Sequence, residues 1–143
     1  MPNADKAHPF ISTFRDIWAD PTLDGLMSSL RDDVRLVQPL SAPLEGKAAA
    51  RLAFRRILHQ FPGLRGEVKG GLGEGSLVFI DWKMIAPVGG REIAIPVIDK
   101  FTLQDGMVKE RVAYFDPTPV SRAVLRSPSS LMRSVTAQFI RRG

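Results

Sequence analysis

The sequence predicts an α+β domain, with N-terminal helices packed on one face of an antiparallel sheet and a helical tail after it. Two observations carry this. Apolar residues recur at helical spacing through the first sixty residues, and after Gly63 the period changes from about 3.6 to 2. The 143 residues suit one domain with a core large enough to hold a pocket. We place the pocket domain at residues 1–118 and a basic amphipathic tail at 119–143.

The elements follow in order. Phe10, Ile11, Phe14, Ile17 and Trp18 form one apolar helical face. Asp20-Pro21 ends that helix and opens a short second one, with Asp20 as N-cap, that stops near Leu30. Val34–Pro39 reads as a short strand. Residues 46–61 read as a helix with Ala50, Phe54, Ile57, Leu58 and Phe61 on its apolar stripe, halted by Pro62-Gly63. GEVKGGLGEG is a weak, glycine-rich strand or bulge. It lacks the lysine and the strand-loop-helix context of a phosphate loop. Then come two strong strands, SLVFIDWKMIA and REIAIPVIDKFTL, joined by a PVGG turn. Gln104-Asp105-Gly106 turns into a last strand, MVKERVAYF, and Asp116-Pro117 breaks the sheet. Helical character resumes from Pro119, is interrupted at Ser127-Pro128 and runs on to Arg142.

The PVGG hairpin sets the faces. With residues 87–90 as the loop, Ala86 lies opposite Arg91 and Trp82 opposite Ile95. One face then carries Val78, Ile80, Trp82, Met84, Ile93, Ile95, Val97, Asp99, Phe101 and Leu103, apolar except for Asp99. The other mixes Phe79 and Ile98 with charges. A carboxylate among Ile95, Val97 and Phe101 is costly to ionise. Burial would hold it protonated and able to donate a hydrogen bond, or else an arginine pairs with it. A slipped register or a structural Asp–Arg pair would account for it equally.

Charge and composition narrow the classes. The net charge is +5, yet residues 1–110 are neutral, so the excess belongs to the arginines of residues 111–143. Nucleic acid is therefore not an expected partner. The absence of cysteine excludes disulfides and thiolate sites. His8 and His59 stand far apart in no ligand pattern, so no metal and no cofactor are expected; His59 reads as a solvent-edge residue and His8 as inert. No apolar run approaches membrane-spanning length, and the N-terminus lacks a signal pattern, so a cytoplasmic location is expected. In the tail, Leu131, Met132, Val135 and Phe139 make an apolar stripe beside Arg133, Arg141 and Arg142. It reads as a helix docked on the domain or its dimer mate rather than on a membrane.

The element order and the ending DKFTLQDGMVKERVAYFDP, with Phe101, Asp105-Gly106 and Tyr114-Phe115-Asp116-Pro117, resemble the SnoaL-like branch of the nuclear transport factor 2-like superfamily. The resemblance spans residues 8 to about 118. It implies a cone-shaped α+β domain whose curved sheet wraps a helix around a hydrophobic pocket, and homodimers built on the outer sheet face.

Carried over residue by residue, the resemblance separates the activities of that superfamily. The general base of ketosteroid isomerases falls at Gln38, before Pro39, and their oxyanion tyrosine falls near Phe14. Their protonated aspartate, within Val-Ile-Asp, is matched by Asp99 after Val97-Ile98. Gln38 cannot shuttle a proton, so isomerisation by that mechanism is not expected. The limonene epoxide hydrolase motif aligns with Phe79-Ile80-Asp81 and loses its arginine, and a second aspartate of that enzyme becomes Ala113. The polyketide cyclases use one acid–base aspartate, a role open to Asp99.

The expected reading is a pocket for a small hydrophobic molecule bearing a carbonyl or hydroxyl. Asp99 is the catalytic candidate, and Phe14, Gln38, Trp82, Val97, Phe101 and Tyr114 are the lining. Arg111 reads as a solvated arginine, with the pocket mouth as its other placement. If the protein is an enzyme, it is a cofactor-independent isomerase, cyclase or lyase. The alternative is a non-enzymatic binding or association module whose tail engages a partner.

Overall fold

The computed structural model describes residues 8–127 together with Ser129 and Met132. Helix α1 (Pro9–Ala19) buries Phe10, Ile11, Phe14 and Trp18. His8 caps it: its Nδ1 accepts from the Phe10 amide at 3.1 Å, while Nε2 and the Gly75 carbonyl oxygen are 2.9 Å apart. His8 therefore ties α1 to the far end of the sheet, a structural role its position in the sequence does not reveal. Helix α2 (Leu23–Met27) is capped by Thr22, whose Oγ1 accepts from the Gly25 amide at 3.0 Å, and not by Asp20. Pro21 precedes this cap instead of opening the helix.

Strand β1 (Leu30–Val37) begins earlier than the pattern suggests. A register shift between Leu30 and Arg35, and the exposed Asp32-Asp33, break the alternation that would have marked its start. A two-residue strand β2 (Leu44–Glu45) leads into helix α3 (Lys47–Gln60), and then come β3 (Arg65–Glu74), β4 (Leu77–Val88), β5 (Arg91–Gln104), β6 (Met107–Tyr114) and α4 (Thr118–Arg126). The six strands form one curved sheet in the order β2-β1-β6-β5-β4-β3. It is mixed, not antiparallel throughout, because β1 pairs in parallel with β6. Hairpins join only neighbours in sequence, whereas the β1–β6 pair closes across the intervening helix and meander, which permits a parallel ladder.

The β4–β5 turn contains only Gly89 and Gly90, both at positive φ, so Ala86 pairs with Ile93 and Trp82 with Val97. The expected register was thus off by two residues. A two-residue shift preserves side-chain parity, so the face assignment survives: Val78, Ile80, Trp82, Met84, Ile95, Val97, Asp99, Phe101 and Leu103 are all buried. The opposite face exposes Leu77, Phe79 and Ile98.

The glycines of β3 are where α1 lies closest. A Cβ on Gly66 would stand 2.8 Å from the Trp82 ring and 2.9 Å from the Trp18 Cβ. One on Gly71 would stand 2.6 Å from the Phe79 carbonyl oxygen and 3.0 Å from Ile11. A bulge between Val68 and Gly70 interrupts this strand. Close approach of both the neighbouring strand β4 and helix α1 thus accounts for these glycines. Helix α4 packs Val124 into the core. The expected continuation of the tail, with Leu131, Val135, Phe139 and Arg133, Arg141 and Arg142, lies outside the described residues. No helix among the described residues is long and apolar enough to cross a membrane.

Candidate functional site

The concave side of the sheet and the inner faces of α1 and α3 enclose a chamber of about 100 Å³. Leu36 and Gln38 come from β1 and the residues just after it, and Ala53, Phe54 and Ile57 from α3. Trp82 and Met84 line it from β4, Val97 and Asp99 from β5, and Arg111 and Ala113 from β6. Trp18, Leu44 and Phe115 complete the wall. Of the fourteen lining residues, only Asp99 and Arg111 are ionisable. No cluster of three or more potential metal ligands occurs among the described residues.

Register brings the two charges together. Asp99 pairs with Ala113 and Phe101 with Arg111, so Arg111 sits diagonally across the ladder from Asp99, a separation of roughly 7–8 Å between backbones. Asp99 is 1 % exposed. Its Oδ2 accepts from the Trp82 indole N–H at 2.9 Å, and its Oδ1 has no partner. Burial pushes its pKa up to about 6, and the Arg111 charge and the Trp82 hydrogen bond only partly oppose this. Arg111 donates from Nη2 to the Gln38 Oε1 at 3.1 Å and lies over the Phe54 ring at 6.0 Å. Its Nε has no partner. The chamber thus joins an apolar wall to two unsatisfied polar atoms on side chains of adjacent strands. Arg56 also holds two buried nitrogens without partners, but it does not line the chamber.

Gln38, Trp82, Val97 and Asp99 share this chamber. Phe14 and Phe101 do not line it; they bound a smaller adjoining void of about 30 Å³, where their rings meet edge to face with centroids 5.6 Å apart, and Phe14 meets Trp82 in the same way at 5.1 Å. Tyr114 is not a lining residue, because it is 57 % exposed on the outer face. Arg111, read from sequence as solvated, is buried instead. One cause explains both. Gln104 pairs with Met107, and a regular ladder from that turn would set Arg111 opposite Lys100 and Tyr114 opposite Val97. A register shift between Thr102 and Leu103 sets Arg111 opposite Phe101 and Tyr114 opposite Ile98, which exchanges their faces. His59 is exposed on α3, at the solvent edge.

The SnoaL-like domain model matches residues 11–111. No curated protein matches the sequence significantly. Among solved structures, a SnoaL-like protein of Jannaschia sp. CCS1 superposes with a TM-score of 0.69 at 21 % identity, over 82 % of this chain and 92 % of that one. TerC co-crystallised with polyporic acid gives 0.67 at 19 % identity, over 85 % and 95 % of the two chains. An LEH-like epoxide hydrolase of M. tuberculosis gives 0.66 at 19 %, over 90 % and 94 %. At these identities the likeness concerns the fold.

Proposed function

Because the chain belongs to the SnoaL-like domain family, we propose that its chamber binds a small hydrophobic molecule bearing a carbonyl or hydroxyl and that Asp99 acts on it as an acid–base group. The observation that carries this is the free Oδ1 of a buried carboxyl in a cavity that is apolar apart from Asp99, Arg111, Gln38 and the Trp82 indole N–H. A carboxyl that titrates near 6 can, in its ionised form, take the proton from the carbon beside a carbonyl and deliver it to the carbonyl oxygen, giving the enol, and return it to carbon by the reverse transfer. Arg111, on the adjacent strand, would stabilise negative charge developing on that oxygen. The polyporic acid of TerC supports a carbonyl-rich ligand as the class to screen first. Titrating Asp99 by carboxyl-carbon NMR tests the premise, with a midpoint near 6 expected; an ordinary carboxylate midpoint would remove the acid–base role. In a screen of cyclic ketones and enols, turnover unchanged by Asp99→Asn would remove it as well.

An association role has its own support. Leu72, Phe79, Ile98 and Tyr114 are exposed on the outer face, on four successive strands. Such a patch suits a second copy of the chain. Sedimentation should give a dimer that Phe79→Glu dissociates; a monomer at every concentration would dismiss it.

A further inference from the structure

A second concavity lies outside the chamber, and we propose that it binds a small soluble phosphomonoester whose phosphate is held by Arg91, Arg122 and Arg126. It is an open groove of about 600 Å³ between the β4–β5 turn and helix α4. Small-molecule sites run to roughly 300–1,000 Å³, so the groove has room for an organic body as well as a phosphate. Its position follows from the packing of α4. Val124 is buried, which sets this helix against the end of the β4–β5 hairpin. Gly89 closes one end, where a Cβ would stand 3.1 Å from the Ser127 side chain. Arg122 and Arg126 are one turn apart on α4, and both line the groove. Arg91 lines it from the first residue of β5.

Charge selects the ligand. Three arginines and no acidic residue are among the described lining. The acids near them in the chain are engaged elsewhere. Both carboxylate oxygens of Glu92 accept from Arg65, at 3.2 and 3.1 Å. Asp116 accepts from the Thr118 amide at 2.9 Å and feels the Arg122 charge at longer range. Positive charge is therefore concentrated over a floor of Val88, Ile93 and Ala123. The guanidinium fork matches the paired oxygens of a phosphate, and a dianionic monoester answers three cations better than a singly charged carboxylate. The apolar floor gives the organic body a surface. A nucleic acid carries one charge per phosphate along its length and calls for a long stripe of cations, whereas residues 1–110 are neutral and these arginines share one groove. The groove also accounts for part of the C-terminal charge: of the six arginines in residues 111–143, Arg111 lines the chamber and Arg122 and Arg126 line this groove.

Phenyl phosphate and inorganic phosphate, titrated against the full chain at about pH 7.5 and about 150 mM salt, test this. By calorimetry phenyl phosphate should bind about tenfold more tightly than inorganic phosphate, and equal affinities would overturn the organic ligand. The amide NMR shifts it causes should centre on Gly89, Ile93 and Ala123; shifts centred on Trp82, Asp99 and Arg111 would put the probe in the chamber and refute the groove. Arg122→Gln and Arg126→Gln should each weaken binding about fivefold or more. Arg55→Gln, which removes the same charge from an exposed position of α3, should leave it unchanged. An equal loss in Arg55→Gln would reduce the effect to overall charge and overturn the proposal. Tighter binding of a single-stranded oligonucleotide, or of phosphatidic acid vesicles, through the same arginines would assign the groove to those partners instead. No saturable binding of phenyl phosphate up to about 10 mM would dismiss the site.

Discussion

Replacing Asp99 by asparagine separates the cost of a buried charge from the shape of the chamber. The native carboxyl titrates near 6 against an ordinary 3.8, so between these values the folded protein holds a proton that the unfolded chain has released. Stability therefore falls as pH rises through this window, and above it Asp99 costs about 3 kcal/mol, from the gap between the two pKa values. Asparagine keeps an oxygen for the Trp82 indole N–H, but its amide nitrogen takes the place of the Asp99 Oδ1 and has no fixed acceptor. The net expectation is that Asp99→Asn stabilises the protein by about 1–3 kcal/mol at pH 8, with the gain smaller by about 2 kcal/mol at pH 4. Urea denaturation of both proteins at the two pH values measures this, because the difference between variants cancels the other titrating groups. A gain independent of pH, or a native protein more stable than the variant at pH 8, would refute the assignment of burial as the dominant influence.

Three further outcomes follow from named contacts. Trp82→Phe removes the indole N–H that favours the ionised carboxylate, so the carboxyl-carbon titration of Asp99 should move above 6; a downward move would contradict the hydrogen bond. Gly71→Ala places a Cβ 2.6 Å from the Phe79 carbonyl oxygen of the neighbouring strand and should cost about 1–3 kcal/mol, whereas Gly70→Ala meets open space and should be nearly neutral; equal melting temperatures for the two would argue against this close approach as the reason for glycine. His8→Ala removes a cap and a link to Gly75, and thermal unfolding should register a loss of about 1 kcal/mol; no loss would mean that neither bond contributes.

What was legible in the sequence follows from periodicity. The helical spacing of Phe10, Phe14 and Trp18 and the alternation from Val78 to Met84 mark elements and faces because each element must bury one side. Asp99 stood out for the same reason: it is the one charged residue on a face that alternation makes apolar. The two-residue error at the Gly89-Gly90 turn was harmless because it preserves parity. At β6 the sequence held no comparable protection. A single extra residue in a ladder carries no clear signature in the chain, yet it reverses every side chain beyond it.

Sequence alone therefore determined the family resemblance, the α+β order of elements, the inward face of the β4–β5 hairpin and the anomalous carboxyl, all of which rest on local spacing. Only the tertiary structure decided that β1 runs parallel to β6, that Tyr114 faces outward and that Arg111 is the charge diagonal to Asp99 on the neighbouring strand. Those three depend on how strands far apart in the chain are registered against one another. The hydrogen bonds of a ladder settle that register, and no repeat within a single strand can encode it.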